Sequence, residues 1–152
     1  MSTVYWIAEY ASSFIETFTC FVFCGTFIDR EKIKTKKQII LLLSVISATV
    51  TTVFNTITFF SGITAFLGAG LLLILQYIVY RRPFKPLIFA IAFFAIITTV
   101  DLSVIYSISY VSNLLVADVI HEHTLARLTA LIFTKTLLII NLIVIQALIS
   151  GQ

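Results

Sequence analysis

The sequence predicts an all-α fold, a polytopic bundle of about five membrane-spanning helices with its N-terminus outside and its C-terminus inside. Three observations carry this expectation. Of the 152 residues, 60% are hydrophobic and only 11% charged, with a mean hydropathy of +1.10, whereas a soluble domain carries about 25% charged residues. The apolar residues fall in runs close to the roughly 20 residues that a spanning helix needs. Eight of the ten Lys and Arg residues sit in two short clusters between those runs. That distribution is a topology signal, and it explains the pI near 9.0 without a nucleic-acid partner.

The first span is expected over residues 5–28, opening on Tyr5 and Trp6, which suit the headgroup level. It is read as a retained helix and not a signal peptide, because no base precedes it and Glu9 and Glu16 interrupt it. It stops at a lysine-rich loop, Asp29 to Lys37. The second span, 38–60, is rich in Thr and Ser with Asn55 in its far half. It stays helical because in lipid the backbone must satisfy its own hydrogen bonds. Ser61 and Gly62 are expected to make the turn. The third span, 63–80, follows Gly62 with Ala65 and Ala69 at a spacing that suits close helix packing. It ends at Arg81 to Pro86, where two prolines and three bases form a loop. The fourth span covers 87–111, a polar stretch runs from Asn113 to His123, and the fifth span covers 125–149. Five spans use about 100 residues, so residues 1–152 read as a single transmembrane domain in the cell membrane.

Orientation follows from the bases. Arg30, Lys32, Lys34, Lys36 and Lys37 fill the first connection, and Arg81, Arg82 and Lys85 the third, so both are expected to be cytoplasmic. The Gly62 turn and the Asn113 to His123 stretch then lie outside.

Five charges fall within the spans: Glu9 and Glu16 in the first, Asp101 in the fourth, Arg127 and Lys135 in the fifth. A central charge costs about 2.5 to 3.5 kcal/mol on insertion scales, so each calls for a partner or an aqueous cavity. Counted from the outer ends of the spans, Glu9 lies roughly 6 Å deep and Glu16 roughly 16 Å, against roughly 3 Å for Arg127 and 15 Å for Lys135. A two-rung ladder is therefore expected, Glu9 with Arg127 and Glu16 with Lys135, with Asp101 placed between the rungs at roughly 9 Å. The five read as structural ion pairs, as a polar pocket open to the outside, or as both at once.

The outer stretch adds Asp118, His121, Glu122 and His123 as candidate ligand-contacting residues. They do not make a metal site, since no fourth ligand is fixed and the spacing is not HExxH. Cys20 and Cys24 share a helix face and read as packing residues. The glycines at 62, 68 and 70 lack the spacing and the lysine of a phosphate loop. Nothing calls for a cofactor, and no catalytic domain is legible.

Several of these features recur together: Ile15-Glu16-Thr17-Phe18 followed by a lysine-rich loop, a short outer turn, the Arg81 to Pro86 inner loop and Asp101. Most specific is an acidic outer loop leading into a helix of the form R-L-x-x-L-I-x-x-K-x-L-L, here Arg127 to Leu138. With these the chain resembles, over nearly its whole length, the membrane half of the Agr-type quorum-sensing receptor histidine kinases of Gram-positive bacteria, whose cytoplasmic part is a GHKL ATPase domain. The resemblance implies a receptor module of a two-component system, sensing an extracellular signal such as a secreted peptide and forming a homodimer when part of a kinase. The family's dimerising helix, phosphorylated histidine and ATP-binding domain have no counterpart in these residues, and His121 and His123 are expected outside. The chain is thus expected to be a sensor module, either truncated or standing alone. Two other readings stay open from the residues themselves: a substrate-binding membrane subunit of a small-molecule transporter, and an interaction or immunity protein. Membrane lipid is a partner under all three.

Overall fold

The computed structural model of the chain describes residues 3–57, 61–82, 84–113, 115–116 and 125–150, with side chains described outside 55–69 and 150. These residues are α-helical almost throughout, and no strand occurs among them. The helices are α1 (Thr3–Ile28), α2 (Arg30–Thr35), α3 (Lys37–Ile57), α4 (Ser61–Tyr80), α5 (Phe84–Ser112) and α6 (Leu125–Ser150). Four of them, α1, α3, α5 and α6, are long and apolar enough to cross a membrane. In α4, the described apolar stretch is Gly70–Tyr80.

The β-branched and hydroxyl content that disfavours helix in water is absorbed locally. Ser44 Oγ donates to the Ile40 carbonyl at 2.8 Å, Thr98 Oγ1 to Phe94 at 2.8 Å and Ser103 Oγ to Thr99 at 2.7 Å. Each of these three hydroxyls bonds back one turn into its own helix, so none of the three leaves an unsatisfied donor on an apolar face.

Three local expectations are corrected. The lysine-rich segment is not a loop but the helix α2, because Asp29 caps it. Asp29 is extended at φ −167°, and its carboxylate accepts from the Lys32 backbone N–H, which satisfies an orphan donor of the first turn. Glu31 adds negative charge at the same end. Ser61 and Gly62 do not make the turn but open α4, and the connection before them, residues 58–60, lies outside the described residues. Pro86 is not in a loop but in the first turn of α5, where its missing N–H has no helical acceptor to lose. Arg81 ends α4 in the left-handed region at φ 56°, donating its N–H to the Tyr77 carbonyl at 2.8 Å. Asn113 takes the same conformation at φ 53° after α5, a position that asparagine tolerates well.

By its internal contacts the chain divides into two compact units, one of Ser13–Phe93, the other of Met1–Ser12 with Phe94–Gln152. In the Ser13–Phe93 unit, α3 packs along α4. Cys20, Phe21, Cys24, Ile40, Val79 and Tyr80 are almost fully buried there, and Phe27 stacks on Phe89 with ring centroids 4.9 Å apart. Gly25 marks a close approach: a Cβ there would stand 2.5 Å from both Ile33 Cγ1 and Tyr80 Oη. Only glycine lets α2 and the end of α4 seat so tightly on α1. In the other unit, Val104 of α5 and Ala130 of α6 form a buried centre, flanked by Ile105, Ile108, Ala126 and Leu137. Ala126 and Ala130 lie one turn apart, and their small side chains let two backbones come close where dispersion, not water exclusion, holds helices together.

Candidate functional site

Four of the five charges within the spans belong to the unit of Met1–Ser12 and Phe94–Gln152, and the structure joins them in two pairs. Near the start of α6, the Arg127 guanidinium donates from Nη2 to Glu9 Oε1 of α1. Two turns further along α6, Lys135 Nζ stands 3.7 Å from Asp101 Oδ1 of α5. The side chain of Lys135 is only 8% exposed and that of Asp101 32%. The side chain of Glu9 is 11% exposed and that of Arg127 24%, so each pair joins a largely buried partner to a half-buried one.

Continuous apolar helices put these side chains at set heights. Asp101 lies eleven residues before the end of α5 at Ser112, about 16 Å at the helical rise. Lys135 lies ten residues into α6 from Leu125, about 15 Å. The two are level, and the expectation that put Asp101 between the rungs at roughly 9 Å is corrected: ten residues separate Asp101 from the expected span end at Val111, about 15 Å at the helical rise. Glu16 belongs to the Ser13–Phe93 unit, and its pairing with Lys135 remains an expectation from depth. Asp118, His121, Glu122 and His123 lie outside the described residues, as do the side chains of Asn55, Ala65 and Ala69.

Separation decides what such pairs can do. At 3.7 Å, Lys135 and Asp101 attract without the short linear contact of a strong hydrogen bond. An ion pair taken out of water gives up solvation that its own attraction only partly returns. The pair ties α5 to α6. The Arg127–Glu9 contact does the same between α6 and the first turns of α1.

A second polar group, in the Ser13–Phe93 unit, was not foreseen. Gln76 sits in the run Leu71 to Tyr80 and is fully buried. Its Nε2 donates to Cys20 Sγ at 3.1 Å, while its Oε1 has no hydrogen-bond partner among the described residues. One turn on, the Tyr80 hydroxyl donates to the Phe21 carbonyl at 2.6 Å. Thr17 Oγ1 reaches Ser47 Oγ at 3.3 Å, and Thr52 Oγ1 is buried without a partner among the described residues. A lone amide inside an apolar run was the available signal, since such groups in a bundle find interhelical partners. Cys20 and Cys24 are both unpaired and completely buried.

No family model matches the chain, and no curated protein or solved structure matches it significantly.

Proposed function

We propose that the chain is a membrane receptor module that senses an extracellular peptide through the charged groups of its outer half and passes a conformational bias along its helices. One observation carries this reading: the opposed charges Glu9 with Arg127 and Asp101 with Lys135 gathered in one helical unit. Charges within apolar helices are costly and by default mark a functional site. Here each pair ties α6 to another helix. A peptide offering a carboxylate to Lys135 or a cation to Asp101 replaces one tie by another, and α6 then settles in a different arrangement. The ligand drives this only as far as it binds the two arrangements with different affinity. The peptide class rests on the resemblance to Agr-type receptors.

The experiment uses the purified chain in liposomes and the fraction of spent culture medium below about 3 kDa, the size range of short peptides. Occupancy at about 100 times the dissociation constant stabilises a folded protein by about 2.7 kcal/mol. The expected result is a rise in the thermal midpoint that protease treatment of the fraction abolishes and that Asp101→Asn weakens. A rise that survives protease would favour the transporter reading. No shift from any fraction would remove the receptor reading.

A further inference from the structure

Two groups of bases far apart in the chain meet at one end of the Ser13–Phe93 unit. Lys32 Nζ donates to the Tyr80 carbonyl at 3.1 Å, and Lys36 Nζ to the Val79 carbonyl at 2.9 Å. Both carbonyls lie in the last turn of α4, where no further helical N–H exists to satisfy them and where the helix dipole favours cations. Ile33 packs on the other side against Gly25. These anchors hold α2 beside the α4–α5 connection and leave exposed Arg30 and Lys34 of α2, Lys37 at the start of α3, Arg81 and Arg82 of the connection and Lys85 in the first turn of α5. Glu31 is the exposed acid there, while Asp29 is engaged as the cap of α2 and by Lys32 at 3.3 Å.

Charge alone would set topology from a floppy tether. A capped helix pinned by two ammonium groups and an isoleucine is more than that rule needs. We infer that α2 and the α4–α5 connection, with the first turns of α3 and α5, form a docking platform for the phosphate headgroups of anionic phospholipid. The occupant follows from position as well as charge. The platform stands where the apolar helices α1 and α4 run out and where α3 and α5 begin, which is where a headgroup layer meets them. Exposed apolar side chains border it directly: Ile39 beside Lys37, and Phe84, 75% exposed, between Arg82 and Lys85. Bases that stretch from an apolar belt toward phosphate are the usual arrangement at this boundary.

The test is native mass spectrometry of the purified chain, released from detergent containing equal phosphatidylglycerol and phosphatidylcholine. The unaltered protein retains phosphatidylglycerol preferentially, and the preference collapses at high ionic strength. Each exposed base near an anionic surface is worth about fivefold in affinity. The variant Lys34→Gln/Lys37→Gln/Arg82→Gln/Lys85→Gln therefore loses roughly tenfold or more of the preference. Replacing the three lysines by arginine preserves it. Should the fourfold variant not fold, Lys34→Gln/Arg82→Gln gives a smaller loss in the same direction. Equal retention of the two lipids, or an unchanged preference in the folded variants, overturns the proposal. So does equal protection against thermal unfolding by inorganic phosphate, which would assign the platform to a free anion, or by an acidic peptide, which would assign it to a protein.

Discussion

Lys135 and Asp101 stand level on α6 and α5, their charged atoms 3.7 Å apart, with the lysine buried and the aspartate half-buried. Both sit on the helix pair whose buried centre is Val104 and Ala130. Their contact therefore belongs to the same interface as the apolar packing that holds α5 to α6.

Asp101→Asn is expected to lower stability in mild detergent by about 3 kcal/mol, because it takes a carboxylate partner from a buried ammonium. Lys135→Met in the same protein should restore much of that loss, since the buried ammonium is then gone as well. Unfolding midpoints of both single variants and the double yield the coupling. Additive effects would mean that the pair contributes nothing to the bundle. A parallel cycle with Glu16→Gln measures the pairing suggested by depth; coupling under about 0.5 kcal/mol there assigns Lys135 to Asp101 alone.

Gly25→Ala tests the close approach of α2 to α1. Alanine favours helix over glycine by about 1 kcal/mol, but its Cβ would fall 2.5 Å from Ile33 Cγ1 and Tyr80 Oη. The tyrosine hydroxyl is held by the Phe21 carbonyl and cannot swing aside freely. Overpacking of this kind costs about 1 to 3 kcal/mol, so the net change is destabilising. Adding Ile33→Ala should recover part of it. A thermal midpoint that rises in the single variant would show that the segments do not seat as described.

Gln76→Leu goes the other way. The substitution removes a buried Oε1 that has no partner among the described residues, and it leaves behind only a thiol, which is a weak acceptor. Unfolding in detergent should show stability unchanged or raised by about 1 kcal/mol. A loss above about 2 kcal/mol would reveal an ordered water or ligand group at that oxygen.

Thiol labelling in intact cells checks orientation. With basic connections inside, Asn113→Cys reacts with an impermeant reagent added outside, while Thr35→Cys and Phe84→Cys do not. All three positions are exposed, and the native thiols of Cys20 and Cys24 are too buried to react. The reverse pattern would turn the protein over and place the charged pairs toward the cytoplasm.

The helical class, the apolar runs and most helix ends were legible in the sequence, because they depend on composition and on local rules. A run of apolar residues in lipid has no alternative to helix that satisfies its backbone, and the two basic clusters punctuate the runs plainly. Even so, local reading failed where a cap outweighed composition. Asp29 turned a lysine-rich loop into α2, and Pro86 fitted a first turn that asks for no N–H.

Which side chains meet is a different kind of fact. Depth along a helix follows from residue counting, and it brings Glu9 near the level of Arg127. Rotation about the helix axis, and the choice of neighbour, do not follow from counting. Asp101 and Lys135 share a contact because Val104 packs on Ala130 and sets the facing sides of α5 and α6. Lys32 and Lys36 cap α4 because Gly25 lets α2 settle against Tyr80. The sequence by itself determined that this chain is built of apolar helices and which residues are expensive to bury among them. The tertiary structure decided who compensates whom, because compensation depends on interhelical distances of a few ångströms that no single helix encodes.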